Sequence, residues 1–255
     1  MSLEGIVGKL VDSRGMIFAL KNIRVNKYIE IGLESQKIRL AAIDSKNHSA
    51  YVSVDFPLAD YYSPPLAINL DHATLLKTLE RLNSEVIIFE IDKVGSCLKL
   101  SAPEGTKNFT IGCSINNISR EIVRMDPVRG QEPDIICKMD GKTFTQLLKD
   151  LQAVDVRAEM QFTKFEKGST VSIRSLSAQM SQYSDSLQTI NETIELEMAE
   201  GYMSKVILFQ GQIKNLLKIM DSGRLVLKLY QEYLFITPEA DELMAKRIIL
   251  PLAAH

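Results

Sequence analysis

The chain has no tryptophan, only three cysteines and three histidines, and no apolar run near the roughly 20 residues that span a bilayer. Each scarcity excludes a class of function. Cys97, Cys113 and Cys137 are odd in number and irregularly spaced, which gives neither a disulfide framework nor a zinc pattern. His48, His72 and His255 form no ligand cluster with them, so no metal is expected. Glycine-rich phosphate loops are missing too, because Gly5-Ile-Val-Gly8 lacks the following glycine and the preceding strand of a dinucleotide site. Carboxylates are scattered, with no pair assignable to one face. The composition thus points away from an enzyme and calls for no cofactor. A net charge of −2 excludes an overall basic nucleic-acid binder but does not say where the charge sits. Met1-Ser-Leu-Glu-Gly lacks the basic start and apolar core of a secretory signal, and the sparse cysteines suit a reducing compartment. An intracellular setting with no membrane partner is expected.

What is present is repetition. Ile68-Asn-Leu-Asp71 reads as a short strand, residues 71–83 as an amphipathic helix, and Val86–Ile91 as a second strand. At 100° per residue, Leu75, Leu79 and Leu82 form one stripe and Lys77 and Arg81 lie opposite, with Asp71 as the N-cap. Phe18-Ala-Leu-Lys21, Leu147-Leu-Lys149 and Leu216-Leu-Lys218 repeat the pattern of a lysine directly after an apolar pair, each followed by alternating strands. The interval of roughly 55 to 75 residues exceeds that of solenoid repeats and indicates duplication on the scale of domains.

The remaining helices are expected at about 9–22, 140–154 and 210–221, the first weakened by Gly15. Ile17, Leu20 and Ile23 should face inward in the first, and Phe144, Leu147, Leu148 and Leu151 in the third. A single strand is expected over Thr189–Met198. Pro127, Gly130 and Pro133 mark a linker at the midpoint. The organisation is therefore residues 1–116 as one domain, 117–134 as a connector and 135–255 as a second domain. The class is α+β, with helices on one face of antiparallel sheets rather than a doubly wound fold.

These residues resemble the ring-shaped sliding DNA clamps of the proliferating-cell-nuclear-antigen (PCNA) type, found in eukaryotes and archaea. The resemblance rests on Ala19-Leu-Lys21-Asn-Ile, Leu40-Ala-Ala-Ile43-Asp-Ser, Ile68-Asn-Leu-Asp-His with Leu75-Leu-Lys77, Thr106-Lys-Asn-Phe109-Thr-Ile and the terminal Ile248-Ile-Leu-Pro251. It implies two duplicated clamp domains per subunit, and a ring of three subunits whose helices line a hole around duplex DNA. Strands near Lys107–Ile115 and Ser175–Tyr183 would pair between subunits.

The activity implied is that of a polymerase processivity factor in DNA replication and repair. It would be nuclear in a eukaryote and cytoplasmic in an archaeon, and would be served by a clamp loader. Polymerase, nuclease or ligase clients would bind beside the connector, at positions matching Ile43, Asn47, Ala50, Met125, Val128, Tyr233 and Ile249. Sequence-independent contacts to double-stranded DNA would come from Arg14, Lys21, Lys77 and Arg81 in the first half and Lys142, Lys149, Lys214 and Lys218 in the second. The four helical segments carry nine basic residues against six acidic ones. Two further readings share the fold: one subunit of a heterotrimeric clamp, archaeal or of the checkpoint type, and a clamp-fold scaffold that never encircles DNA.

Overall fold

The computed structural model describes residues 6–23, 28–43, 51–61, 65–105, 107–116, 130–152, 157–165, 168–175, 188–190, 194–208, 217–220, 223–240 and 246–252. Two compact units are present: Met1–Lys46 with Val52–Pro127, and Asn47–Tyr51 with Val128–His255. Most of the expected connector, residues 117–129, lies outside the described residues.

The first unit is built from one pattern written twice: a strand, a helix, then three strands. Its first copy comprises β1 (Ile6–Leu10), α1 (Ser13–Asn22), β2 (Tyr28–Glu34), β3 (Lys37–Ile43) and β4 (Tyr51–Ala59). The second comprises β5 (Leu66–Asp71), α2 (His72–Leu82), β6 (Ile87–Asp92), β7 (Cys97–Ser101) and β8 (Asn108–Asn116). The leading strands are exchanged between copies, since β1 pairs with β6 and β5 pairs with β2, both antiparallel. Contacts β5–β8 and β4–β1 then join the two four-stranded sheets into the closed order β1-β6-β7-β8-β5-β2-β3-β4. Neither copy can complete its sheet without the other, which is why the duplication is a single folding unit.

The second unit repeats the scheme with β9 (Ile135–Asp140), α3 (Gly141–Gln152), β10 (Arg157–Phe165), β11 (Gly168–Ser175), β12 (Gln188–Ile190), β13 (Glu195–Glu197), β14 (Gly201–Leu208), β15 (Arg224–Leu229), β16 (Tyr233–Pro238) and β17 (Lys246–Pro251). The exchange recurs: β9 pairs with β15, and β14 with β10. Here the single strand expected over 189–198 is corrected to two. β12 joins β11 in one sheet, whereas β13 joins β9 in the other. In the first unit the equivalent strand, β4, serves both sheets unbroken, with Leu58 and Ala59 reaching β1. A period-2 apolar pattern looks the same whether one strand crosses between sheets or two strands share the task.

The helix spanning residues 9–22 is corrected at its start. Residues 6–10 are a strand, and Asp12 caps α1 by accepting the Gly15 N–H at 2.8 Å. Gly15 is less a defect than a requirement of this cap, because a Cβ there would lie 2.2 Å from Asp12 Oδ2. Met16, Ala19 and Leu20 are buried, whereas Ile17, expected inside, is only half-buried. In α2 the expected Leu75, Leu79 and Leu82 are buried, joined by Thr78, and Asn83 ends the helix in the left-handed conformation with φ 47°.

The cores are built chiefly from apolar side chains. Leu10, Met16, Leu20, Leu79, Leu98 and Leu100 are fully buried in the first unit, as are Phe144, Met160, Phe162, Leu227, Leu234 and Ile236 in the second. Fully burying a side chain of this size contributes roughly 1.5–3 kcal/mol. Cys137 lies among the second group, and burial pushes its thiol up to about 12; burial and the nearby Cys97 push Cys113 up to about 11. Since the thiolate is the reactive form, neither should be alkylated by iodoacetamide at pH 7.5 before unfolding, as mass spectrometry of peptides would read.

A candidate nucleic-acid interface on the helix faces

The helices are positioned by a recurring aspartate at the end of each leading strand. Asp71 accepts from Thr74 N and Oγ1, both at 2.7 Å, and Asp140 accepts from Thr143 N and Oγ1, both at 2.8 Å. With Asp12 and Gly15 these make three caps, each bonding the residue three positions on. The residue four positions after each cap, Met16, Leu75 or Phe144, is fully buried.

This shared register corrects the alignment of the lysines. Lys21 and Lys149 stand nine residues after their caps, but so does Glu80; Lys77 stands only six after its own, level with Phe18 and Gln146. Matching Leu75-Leu-Lys77 to Ala19-Leu-Lys21 slipped the second helix by one turn. A helix returns to the same face every three to four residues, so a lysine after an apolar pair does not fix the turn it belongs to.

The hydrogen bonds to Thr143 hold the Asp140 carboxyl below its ordinary value of 3.8. A depressed acid stabilises the folded state fully above that value and loses its effect as pH falls through the lower folded one. Asp140→Ala should therefore cost about 1 kcal/mol at pH 7. The cost should shrink toward pH 2, as urea unfolding at both pH values would measure.

Helices α1 and α2 pack against each other. His72 Nε2 lies 3.0 Å from the Leu20 carbonyl oxygen, which gives this histidine a structural place between the helices. Lys21 Nζ meets Glu80 Oε1 at 2.8 Å across the pair, with both side chains about half exposed. Such a surface pair contributes roughly 0–1 kcal/mol. Arg14, Phe18 and Lys21 are exposed at positions i, i+4 and i+7, and so form one stripe on α1. Lys77, Glu80 and Arg81 are exposed on α2. Four basic groups and one acid therefore share this surface, because Asp12 and Asp71 are held at the helix N-termini, where the backbone dipole offsets their charge.

The remaining sequence-derived residues divide clearly. Lys142 and Lys218 are exposed, the latter between buried Leu217 and Ile219 in a helical turn. Lys149 lies in α3, but its side chain, with Lys214, is outside the described residues. So are Asn47, Ala50, Met125, Val128 and the Ile43 side chain. Tyr233 opens β16, half-buried, opposite Pro251. Ile249 is 1% exposed, so its side chain packs in the core rather than on a surface.

Two features went unnoticed in the sequence. Phe18 is 50% exposed, and Lys107 Nζ donates to the Arg81 carbonyl at 3.2 Å, placing another cation at the α2 C-terminus. Within the expected edge at Lys107–Ile115, Asn108–Gly112 pair with β7 and Cys113–Asn116 with β5.

No protein-family model and no curated protein matches the chain. Among solved structures, the proliferating cellular nuclear antigen from Entamoeba histolytica superposes with a TM-score of 0.66 at 13% identity, covering 97% of this chain and 98% of that one. This chain has the PCNA-type clamp fold. The exchanged leading strands and capped helices described above are how this sequence builds that clamp fold. Among the described residues, no helix is long and apolar enough to cross a membrane. Nor do three His, Cys, Asp or Glu side chains gather among them to hold a metal.

Proposed function

We propose that this protein is a sliding clamp, closing with two further clamp subunits around double-stranded DNA and tethering replication and repair enzymes. The observation that carries the reading is the likeness in fold to a proliferating cellular nuclear antigen over 97% of this chain and 98% of that one. The exposed basic stripes on α1 and α2 support it, since sequence-independent binding needs cations on a regular surface and no groups that read bases. Arg14, Lys21, Lys77 and Arg81 are the contacts proposed in the first unit, and Lys142, Lys149, Lys214 and Lys218 in the second. Individually weak contacts suit the task, because topological enclosure retains DNA while sliding continues. The protein acts as a scaffold inside the cell, and the chemistry belongs to its clients.

The test is topological. Protein placed on nicked circular DNA by a cognate clamp loader should survive gel filtration with the circle and be lost when a restriction enzyme linearises it. Native mass three times the 28.6 kDa of the chain identifies a homotrimer, and a ring that closes only with sister chains identifies a heterotrimer. Equal retention on circular and linear DNA would exclude encirclement and leave the non-encircling scaffold.

A further inference from the structure

The least economical feature of the helix face is Phe18. Half of its surface is open, although α1 buries Met16, Ala19 and Leu20 on its other side. It occupies the centre of the Arg14–Lys21 stripe, one turn from each cation, and its helix packs on the one carrying Lys77 and Arg81. A phenyl ring gains nothing from a phosphate. Intact duplex offers such a face phosphates, sugars and base edges, because the faces of its bases are stacked away. A single strand offers both the anionic backbone that the cations fit and unstacked bases whose faces can lie on the ring. Cations flanking an aromatic platform are the pairing by which proteins hold single strands without reading their sequence.

We infer that Phe18 is a stacking platform for an unpaired DNA base, so that the α1–α2 face holds single-stranded DNA or the single-stranded side of a primer junction. The occupant follows from charge complementarity: four basic groups against one acid select a polyanion, and the aromatic selects one with exposed rings. This rests on the clamp reading for its DNA partner but adds a preference that enclosure of duplex does not require.

The experiment uses the full chain and fluorescence anisotropy at low ionic strength, with a twenty-nucleotide oligothymidylate and a blunt duplex of equal length as probes. Phe18→Ala should weaken oligothymidylate binding about tenfold while changing duplex binding less than twofold. Phe18→Tyr should retain the wild-type preference. An oligothymidylate carrying 5-iododeoxyuridine should photocrosslink to the α1 peptide in the wild type and not in Phe18→Ala. Lys77→Glu separates the two claims, because it should weaken both probes alike. If Lys77→Glu weakens both and Phe18→Ala neither, the stacking inference falls and the clamp reading stands. If neither change alters binding to either probe, the stacking inference falls and this face leaves the DNA path, while retention on circular DNA still decides the clamp reading. A shift in native mass for Phe18→Ala with unchanged DNA binding would assign the ring to a protein contact and overturn the inference. Circular dichroism checks that the variants fold, as expected for an exposed position.

Discussion

Reversing Lys77 and Arg81 to glutamate should leave the protein folded and reduce its retention on loaded circular DNA about tenfold or more. Both side chains are exposed on α2, whose packing is carried by Leu75, Thr78, Leu79 and Leu82 on the opposite side. The structural cost should therefore stay within about 0.5 kcal/mol, the range for surface changes. The electrostatic consequence is larger. The α1–α2 face changes from four basic groups and one acid to two basic groups and three acids, so attraction to phosphate becomes repulsion. Neutralising a phosphate contributes a slope of roughly −0.9 in log K against log salt. Losing two contacts per subunit should flatten the salt dependence of DNA binding accordingly. Retention measured at several salt concentrations, with urea unfolding alongside, distinguishes an electrostatic loss from a structural one. Unchanged retention would remove this face from the DNA path.

The largest stability effect is expected in the β3–β4 region of the first unit. Arg39 Nε and Nη2 bond Asp55 Oδ1 and Oδ2 at 2.5 and 2.7 Å, a two-pronged pair with side chains only 9% and 10% exposed. Glu34 lies 3.5 Å from Arg39 Nη1, and Lys37 lies 3.4 Å from Asp55. The Asp55 hydrogen bonds and charge raise the Arg39 pKa above its ordinary value against the opposing effect of burial. Removing Asp55 takes that support away, yet a guanidinium is basic enough to stay charged without it. Asp55→Ala should cost about 3 kcal/mol, mostly by leaving a charge short of partners at a poorly hydrated site. Replacing both, as Arg39→Met with Asp55→Leu, should recover most of that loss, because it removes the charge along with its partner. Urea midpoints of the single and double variants measure this. A double variant as unstable as Asp55→Ala would mean that packing, not charge, sets the cost.

Much of the fold is determined by the sequence on its own. Asp71, Leu75, Leu79, Leu82 and Asn83 specify a capped helix with one buried stripe, and α2 has those bounds within a residue. β3 and β10 coincide with their alternating segments because a half-buried strand leaves a period of two. Local rules of this kind concern neighbours along the chain, and the chain states its neighbours directly. The α+β class follows from them.

Tertiary structure decided what depends on neighbours distant in sequence. Whether Phe18 faces core or water turns on where α2 lies, and periodicity assigns a residue to a face without saying whether that face is covered. The one-turn slip that aligned Lys77 with Lys21 arose because helical faces recur each turn; Asp12, Asp71 and Asp140, with buried Met16, Leu75 and Phe144, removed the ambiguity. Exchange of β1 and β5 between the two copies is likewise invisible locally, since a strand's pattern names its buried side and not its partner. So is the pairing of Lys21 with Glu80, which alters the charge of the helix face. The sequence determined which segments form and which side of each is apolar. Only the packed structure decided which sides meet, because that follows from burying all of them at once.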